Sequence, residues 1–147
     1  MRRGFSSKIA VLALLLAGPL SITSQAHGSC EDTPLHDSME SMKTAFKAMR
    51  AAANDGDWET IASSRAKMLE LATAASKEQP MKLNDTPPEK QPQFLEYYQQ
   101  GIETLEFKLD QLAAAETGND IEAARSIVED IGKHSKDSHK SFKKDCD

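Results

Sequence analysis

Histidine and methionine side chains near the two ends of the chain are the residues whose types could carry chemistry. His134 and His139 lie five residues apart close to the carboxyl terminus, and Met39, Met42 and Met49 recur at helical spacing in an early apolar stretch. Imidazole and thioether groups both bind transition metals. The sequence contains no nucleophile–base–acid set and no glycine-rich phosphate loop. It therefore predicts a binding protein and not an enzyme.

The spacing of the apolar residues predicts the helices that position these side chains. Apolar residues recur at steps of three and four along four segments, which is the spacing of one helix face, and no segment alternates as a strand does. Thr33 and Pro34 form an N-cap and first-turn pair for the first helix, and Gly56 should end it. Asp57 should cap the second helix, which we expect to end at Pro80.

The third and fourth helices are separated by another short turn. Gly118 is expected to cap the end of the third helix and Asn119 to begin the fourth. The four helices have about 20–25 residues each, and short turns join the first to the second and the third to the fourth. This favours an antiparallel up-down-up-down four-helix bundle. The fold class is therefore predicted to be all-α.

The first 26 residues have the organisation of a secretory signal peptide. Positive residues precede an apolar run at residues 9–20, which is too short to span a bilayer, for which about 20 residues are needed. Small residues before His27 suit cleavage there. We expect residues 1–26 to be removed and residues 27–147 to form one soluble, exported, periplasmic domain.

The charge of the mature chain limits its partners. Cleavage would remove three positive charges, Arg2, Arg3 and Lys8, and change the net charge from −5 to −8. An acidic protein of this kind is unsuited to nucleic acid or to an anionic membrane surface. We expect partner proteins with basic docking surfaces and, since nothing in the sequence indicates a second interface, a monomer.

Two cysteines lie near opposite ends of the mature chain. In an oxidising compartment, Cys30 and Cys146 suggest a disulfide. The bridge needs both termini at one end of the fold, which is where an up-down-up-down bundle places them. It would stabilise the fold by up to ~4–5 kcal/mol in the chain-entropy model.

The bundle would also bring Met39 and His139 to one level. Met39 lies five residues beyond Pro34, roughly 7–8 Å along the helix at 1.5 Å per residue, and His139 lies a similar distance from the helix end near Lys144. On adjacent antiparallel helices the two groups could bind a haem iron on both axial faces. Taken singly, the methionine also fits as core filler and the histidine as a surface residue near a helix C-terminus.

Four stretches of the chain resemble the soluble periplasmic cytochrome b562 family: LHDSMESMKTAFKAM, PMKLND, YQQGIETLEFKLDQL and DSHKSFK. The resemblance spans about Leu35 to Lys143. It implies an electron carrier with one non-covalently bound b-type haem per chain, and Met39 and His139 as its axial ligands. The lack of a C-x-x-C-H motif agrees with this. The resemblance further implies a haem pocket lined by Leu35, Met42, Met68, Tyr98, Ile102 and Phe142.

Some positions depart from the family pattern. Ile102 stands where an aromatic residue is more typical, and Ser135 and Ser138 replace larger side chains close to the proposed ligand. Lys140 and Lys143 could pair with haem propionates, although lysine lacks the bidentate fork of arginine.

Two other functions fit the residues. The first is a haem-free exported bundle that serves as a binding or stress-response module. The second is a copper protein that uses Met39, Met42 and Met49, with His36 nearby and His27 exposed at the new N-terminus. Copper binding of this kind would depend on Met42 as much as on Met39 and would not change on replacement of His139.

Overall fold

The structure, a computed structural model, describes residues 33–144. Within that range the chain forms four helices and no strand: α1 (Pro34–Asp55), α2 (Trp58–Ala75), α3 (Gln91–Gly118) and α4 (Ile121–Phe142). Two short 3-10 turns, Met81–Asp85 and Pro88–Lys90, lie between α2 and α3. The predicted all-α fold is confirmed. The predicted signal peptide and the predicted disulfide between Cys30 and Cys146 lie outside the described residues.

The four helices form a ring around one core. Each helix packs against the next one along the chain, and α4 closes the ring against α1. Within residues 33–144 the diagonal pairs, α1 with α3 and α2 with α4, have no Cα atoms within 8 Å of each other. This arrangement is the predicted four-helix bundle, in which consecutive helices run antiparallel. The start of α1 and the end of α4 therefore lie at the same end, and these two helices are the least closely packed neighbours.

The core is built from the residues that the apolar spacing selected. The largest fully buried side chains belong to Met49, Ile61, Leu109, Leu112 and Ile131, which come from all four helices. None of the helices between residues 33 and 144 has the length and apolar character needed to cross a bilayer.

The two tight connections are built in the same way. Gly56 ends α1 with φ 74° and Asn119 ends α3 with φ 51°, both in the left-handed conformation. The residue directly after each, Asp57 or Asp120, caps the next helix by accepting a hydrogen bond from a backbone N–H three residues on, at 3.1 and 3.0 Å. The predicted caps Thr33, Gly56 and Asp57 agree with the structure.

The predicted boundary between α3 and α4 is wrong by one residue. Gly118 is the last residue of α3, Asn119 is its C-cap, and Asp120, not Asn119, begins α4. The Asp120 N–H donates to the Ala115 carbonyl at 3.0 Å, a bond that needs a left-handed residue at position 119. Asparagine tolerates that conformation better than most residues.

The predicted end of α2 at Pro80 is also wrong, because α2 ends at Ala75. Two side chains of α3 satisfy its last carbonyls: the Tyr98 hydroxyl donates to the Ala75 carbonyl at 2.7 Å, and the Gln99 amide donates to the Ser76 carbonyl at 2.8 Å. Burial, and to a lesser extent the charge of Glu78, raises the pKa of Tyr98 to about 12. The hydroxyl thus remains a donor. No pattern within α2 itself predicts this end.

The left-handed residue at the α3–α4 turn can be tested by substitution. Asn119→Ala should lower the free energy of unfolding by about 1 kcal/mol, because a residue with a Cβ and no local polar group is disfavoured in this conformation. Asn119→Gly should keep or raise it, since glycine adopts positive φ freely. Urea unfolding measures both, with Thr117→Ala as the control in the preceding helical turn. An equal loss in Asn119→Gly and Asn119→Ala would contradict the argument.

Candidate cofactor-binding site

A pocket of about 690 Å³ opens between α1 and α4 and reaches the inner faces of α2 and α3. Its volume falls in the range of roughly 300–1,000 Å³ that is common for small-molecule sites. All eight residues that the resemblance assigned to a haem site line this one pocket: Leu35, Met39, Met42, Met68, Tyr98, Ile102, His139 and Phe142. The fold thus brings the predicted residues together, although their proposed roles stay predictions.

The first turns of α1 supply one wall of the pocket. The Thr33 hydroxyl accepts a hydrogen bond from the His36 N–H at 3.1 Å and fixes the start of the helix. From there Leu35, Met39 and Met42 follow at steps of four and three, so that they share the face turned to the pocket. Met42 is buried and Met39 is half-buried.

His139 lines the pocket from the last turn of α4. Its side chain is exposed, because the pocket opens to solvent at this end of the bundle. Its imidazole makes no hydrogen bond to any other residue between 33 and 144. Desolvation lowers the pKa of His139, and the charges of Lys143 and Lys43 lower it further, whereas Glu40 opposes them. The surroundings therefore favour the neutral form, which is the form that binds metals.

His134 also lines the pocket, but its ring is held by the protein. Its Nε2 lies 2.8 Å from the Gly101 carbonyl oxygen and 3.5 Å from the Ser138 hydroxyl. A carbonyl only accepts, so Nε2 carries the proton and donates to it. The bond joins α4 to α3 and gives His134 a structural role. Of the two histidines, only His139 has both ring nitrogens without a protein partner among the described residues.

Phe142 packs the end of α4 against α3. Its ring makes edge-to-face contacts with Phe94 at 5.4 Å and with Tyr98 at 5.5 Å between ring centroids. A Cβ at Gly101 would lie 3.5 Å from the Phe142 ring, an ordinary van der Waals distance, so the approach does not depend on glycine. The contacts hold the turn that carries His139 against the rest of the bundle.

The loop between α2 and α3 also holds this turn. The Lys82 ammonium donates to the Lys140 carbonyl at 3.0 Å, and the Lys144 ammonium lies 3.0 Å from the Asp85 carboxylate. Carbonyls in the last turn of a helix have no partner within the helix. Lys82 supplies one from 58 residues away, and sequence reasoning missed it because no local signal marks such a pair.

Charged side chains surround the mouth of the pocket. Lys43, which lies 3.1 Å from Glu40, and Lys143 both line it. Lys140, which was expected to act with Lys143, is not among the lining residues and lies 3.8 Å from Asp137. His36, which the sequence suggested only as a residue near the copper-binding methionines, lines the pocket as well. His36 lies four residues before Glu40 and seven before Lys43. This spacing puts all three on one helix face and could have predicted that His36 lines the pocket.

The proposed copper ligands do not form one site. Met39 and Met42 line the pocket, but Met49 is fully buried in the core. Among residues 33–144, no group of three or more histidine, cysteine, aspartate or glutamate side chains could hold a metal ion. Methionine sulfur is not among those groups. Because Met49 does not line the pocket, the three methionines do not converge there, and the copper alternative stays a prediction.

Fold and pocket together define a four-helix bundle with a largely apolar, cofactor-sized site at one end. The family model for cytochrome b562 matches residues 34–143, which include all four helices. The chain belongs to the cytochrome b562 family. Among curated proteins, none matches it.

The electrostatics of His139 can be tested by titration in the absence of cofactor. NMR should give His139 a pKa below the ordinary value of 6.5. Lys143→Gln should raise that pKa, because a nearby positive charge is lost, and Glu40→Gln should lower it, because a negative charge is lost. A shift of the same sign in both variants would contradict the assignment.

The same shift makes stability depend on pH. Because the folded protein binds the proton on His139 less tightly than the unfolded chain, acid favours unfolding. The contribution of this group is fully present above pH 6.5 and is lost as the pH falls through the lower folded pKa. Urea unfolding from pH 7 downwards should show a smaller loss in Lys143→Gln than in the unchanged chain.

Proposed function

We propose that this chain is a periplasmic electron carrier that binds one b-type haem, without covalent attachment, between Met39 and His139. The observation that most directly supports this is the convergence of the two side chains on one pocket. They lie a hundred residues apart in sequence, on different helices, and both line the cavity between α1 and α4.

The residues present fit such a group. Buried or half-buried apolar side chains form much of the inner wall, which suits a macrocycle, and one thioether and one unpartnered imidazole come from facing helices. Haem also carries two carboxylates, which are best stabilised by cations at a solvent-facing edge. Lys43 and Lys143 lie at the mouth of the pocket, and Lys143 has no ion-pair partner within residues 33–144.

Each residue then has a defined part. When bound, haem supplies one-electron chemistry, and a methionine axial ligand raises its reduction potential. His139 contributes a neutral imidazole, which its lowered pKa favours. Met39 and His139 together would fill both axial positions, which leaves no place for oxygen and argues against enzymatic oxygen chemistry. The apolar residues of the pocket wall, among them Leu35 and Phe142, would limit the access of water to the haem.

Export and docking complete the proposal. Residues 1–26 would direct the chain across the membrane, and the mature chain would carry a net charge of −8 once Arg2, Arg3 and Lys8 are removed. A negative surface accelerates encounter with redox partners whose docking surfaces are basic. Association of this kind weakens as salt rises.

The proposal is tested by absorption spectra of the mature chain, titrated with haem and then reduced. Sharp low-spin bands are expected in the unchanged protein. They should be lost or shifted in both Met39→Ala and His139→Ala, because each variant opens one axial position. Lowering the pH should release the haem as protons compete for His139.

A matched histidine variant serves as the control. His134→Gln keeps an N–H donor for the Gly101 carbonyl and should retain the low-spin bands. Loss of the bands in His134→Gln but not in His139→Ala would show that His134, and not His139, is the histidine ligand. If the unchanged chain is folded but takes up no haem, the proposal is contradicted, and the haem-free binding module becomes the favoured function.

A further inference from the structure

A glycine in the middle of α4 lies against an aromatic ring of α1. A Cβ at Gly132 would lie 3.2 Å from Cζ and 3.7 Å from Cε1 of the Phe46 ring, and the first distance is shorter than an ordinary contact between carbon atoms. The other two glycines within helices between residues 33 and 144, Gly101 and Gly118, have more room. Glycine is unfavourable in a helix interior. The close approach of the ring, which leaves no space for a methyl group, accounts for glycine at position 132.

This contact lies at the inner end of the pocket. The lining residues of α1 end at Phe46, and those of α4 begin at Ile131, directly before Gly132. Gly132 itself does not line the pocket, whereas the ring that covers it does. The Phe46 ring therefore separates the glycine from the cavity.

The contact also has a fixed separation from the two proposed ligands. Phe46 follows Met39 by seven residues, and Gly132 precedes His139 by seven. Seven residues are about two helical turns, so each pair shares one helix face and is separated by roughly 10 Å along the axis. Because α1 and α4 run antiparallel, both steps lead in the same direction, away from the mouth of the pocket. The ring and the glycine thus lie at one level below the proposed ligands.

We propose that the Phe46 ring, held against Gly132, is the inner stop of the pocket and limits the size of the macrocycle that fits beside Met39 and His139. This inference rests on the proposed function for the identity of the ligand. The stop itself is a contact between two side-chain positions of this chain. A methyl group at position 132 would push the ring away from α4 and towards the cavity. The ring would then occupy volume that a bound macrocycle needs.

The stop predicts that Gly132→Ala affects folding and binding in different ways. Before any ligand is added, the displaced ring can move into the open pocket, and alanine favours the helix more than glycine does. The urea midpoint of the ligand-free chain should therefore stay the same or rise. A glycine that served only helix packing would give a lower midpoint, because an added methyl group strains a filled core. Affinity for a macrocycle should fall, since the ring and the ligand compete for the same space.

Binding of metal-free protoporphyrin to the mature chain, followed by its fluorescence, tests the stop separately from the axial ligands, since this macrocycle holds no iron. Gly132→Ala should raise its dissociation constant at least about tenfold, which is an ordinary cost of overpacking. In a Phe46→Leu background the same substitution should raise it less than about threefold, because leucine has no atom at the Cζ position. Gly118→Ala adds a methyl group where no other atom lies within 4 Å and should not change the affinity.

Other results would overturn the proposal. An unchanged affinity in Gly132→Ala would do so, and so would an equal loss with and without Phe46→Leu. A lower urea midpoint of ligand-free Gly132→Ala would assign the glycine to packing alone. If protoporphyrin binds with the expected differences but haem gives no low-spin bands, the proposed axial ligands are wrong and the stop is supported. If the unchanged chain binds neither macrocycle, both proposals are contradicted.

Discussion

The hydrogen bond from the Tyr98 hydroxyl to the Ala75 carbonyl joins three parts of the structure. It satisfies the end of α2, it fixes a ring that lines the pocket, and that ring contacts Phe142 in α4. Because Phe142 lies one turn after His139, the position of the proposed ligand depends on an aromatic contact with α3. A buried tyrosine must place its hydroxyl against an acceptor, and the unpaired carbonyls at a helix end are suitable acceptors.

The sequence predicts the bundle well because the necessary signals are local. Thr33, Gly56 and Asp57 act within a few residues of themselves, and the apolar spacing of each helix is visible without the others. The predictions were wrong where a distant residue decided the outcome. The end of α2 is such a case, because Tyr98 of α3 donates to the Ala75 carbonyl there; the one-residue error at Asn119 is different, since the bond from Asp120 to Ala115 lies within the turn itself.

The pocket residues show the same difference between what local sequence signals predict and what contacts between helices decide. Spacing and resemblance select Met39 and His139, and the ring of four helices brings both to one cavity. His134 and His139 both line that cavity from α4. What separates them is the Gly101 carbonyl on α3, which holds the ring of His134. The loop residue Lys82, which caps the helix end near His139, is likewise visible only in three dimensions.

Helix α3 contributes differently on its separate faces. Its inner face closes the core and the pocket, where Tyr98 and Ile102 are almost fully buried. Along its outer face, exposed uncharged residues such as Tyr97 and Phe107 alternate with the exposed acidic residues Glu96, Glu103 and Asp110. The edges between these faces join α3 to its neighbours: the Gln99 amide donates to the Ser76 carbonyl after α2, and the Gly101 carbonyl accepts from His134 of α4. One helix therefore satisfies polar groups of both its neighbours while its inner residues line the pocket, which is why the position of the site depends on α3 although neither proposed ligand comes from it.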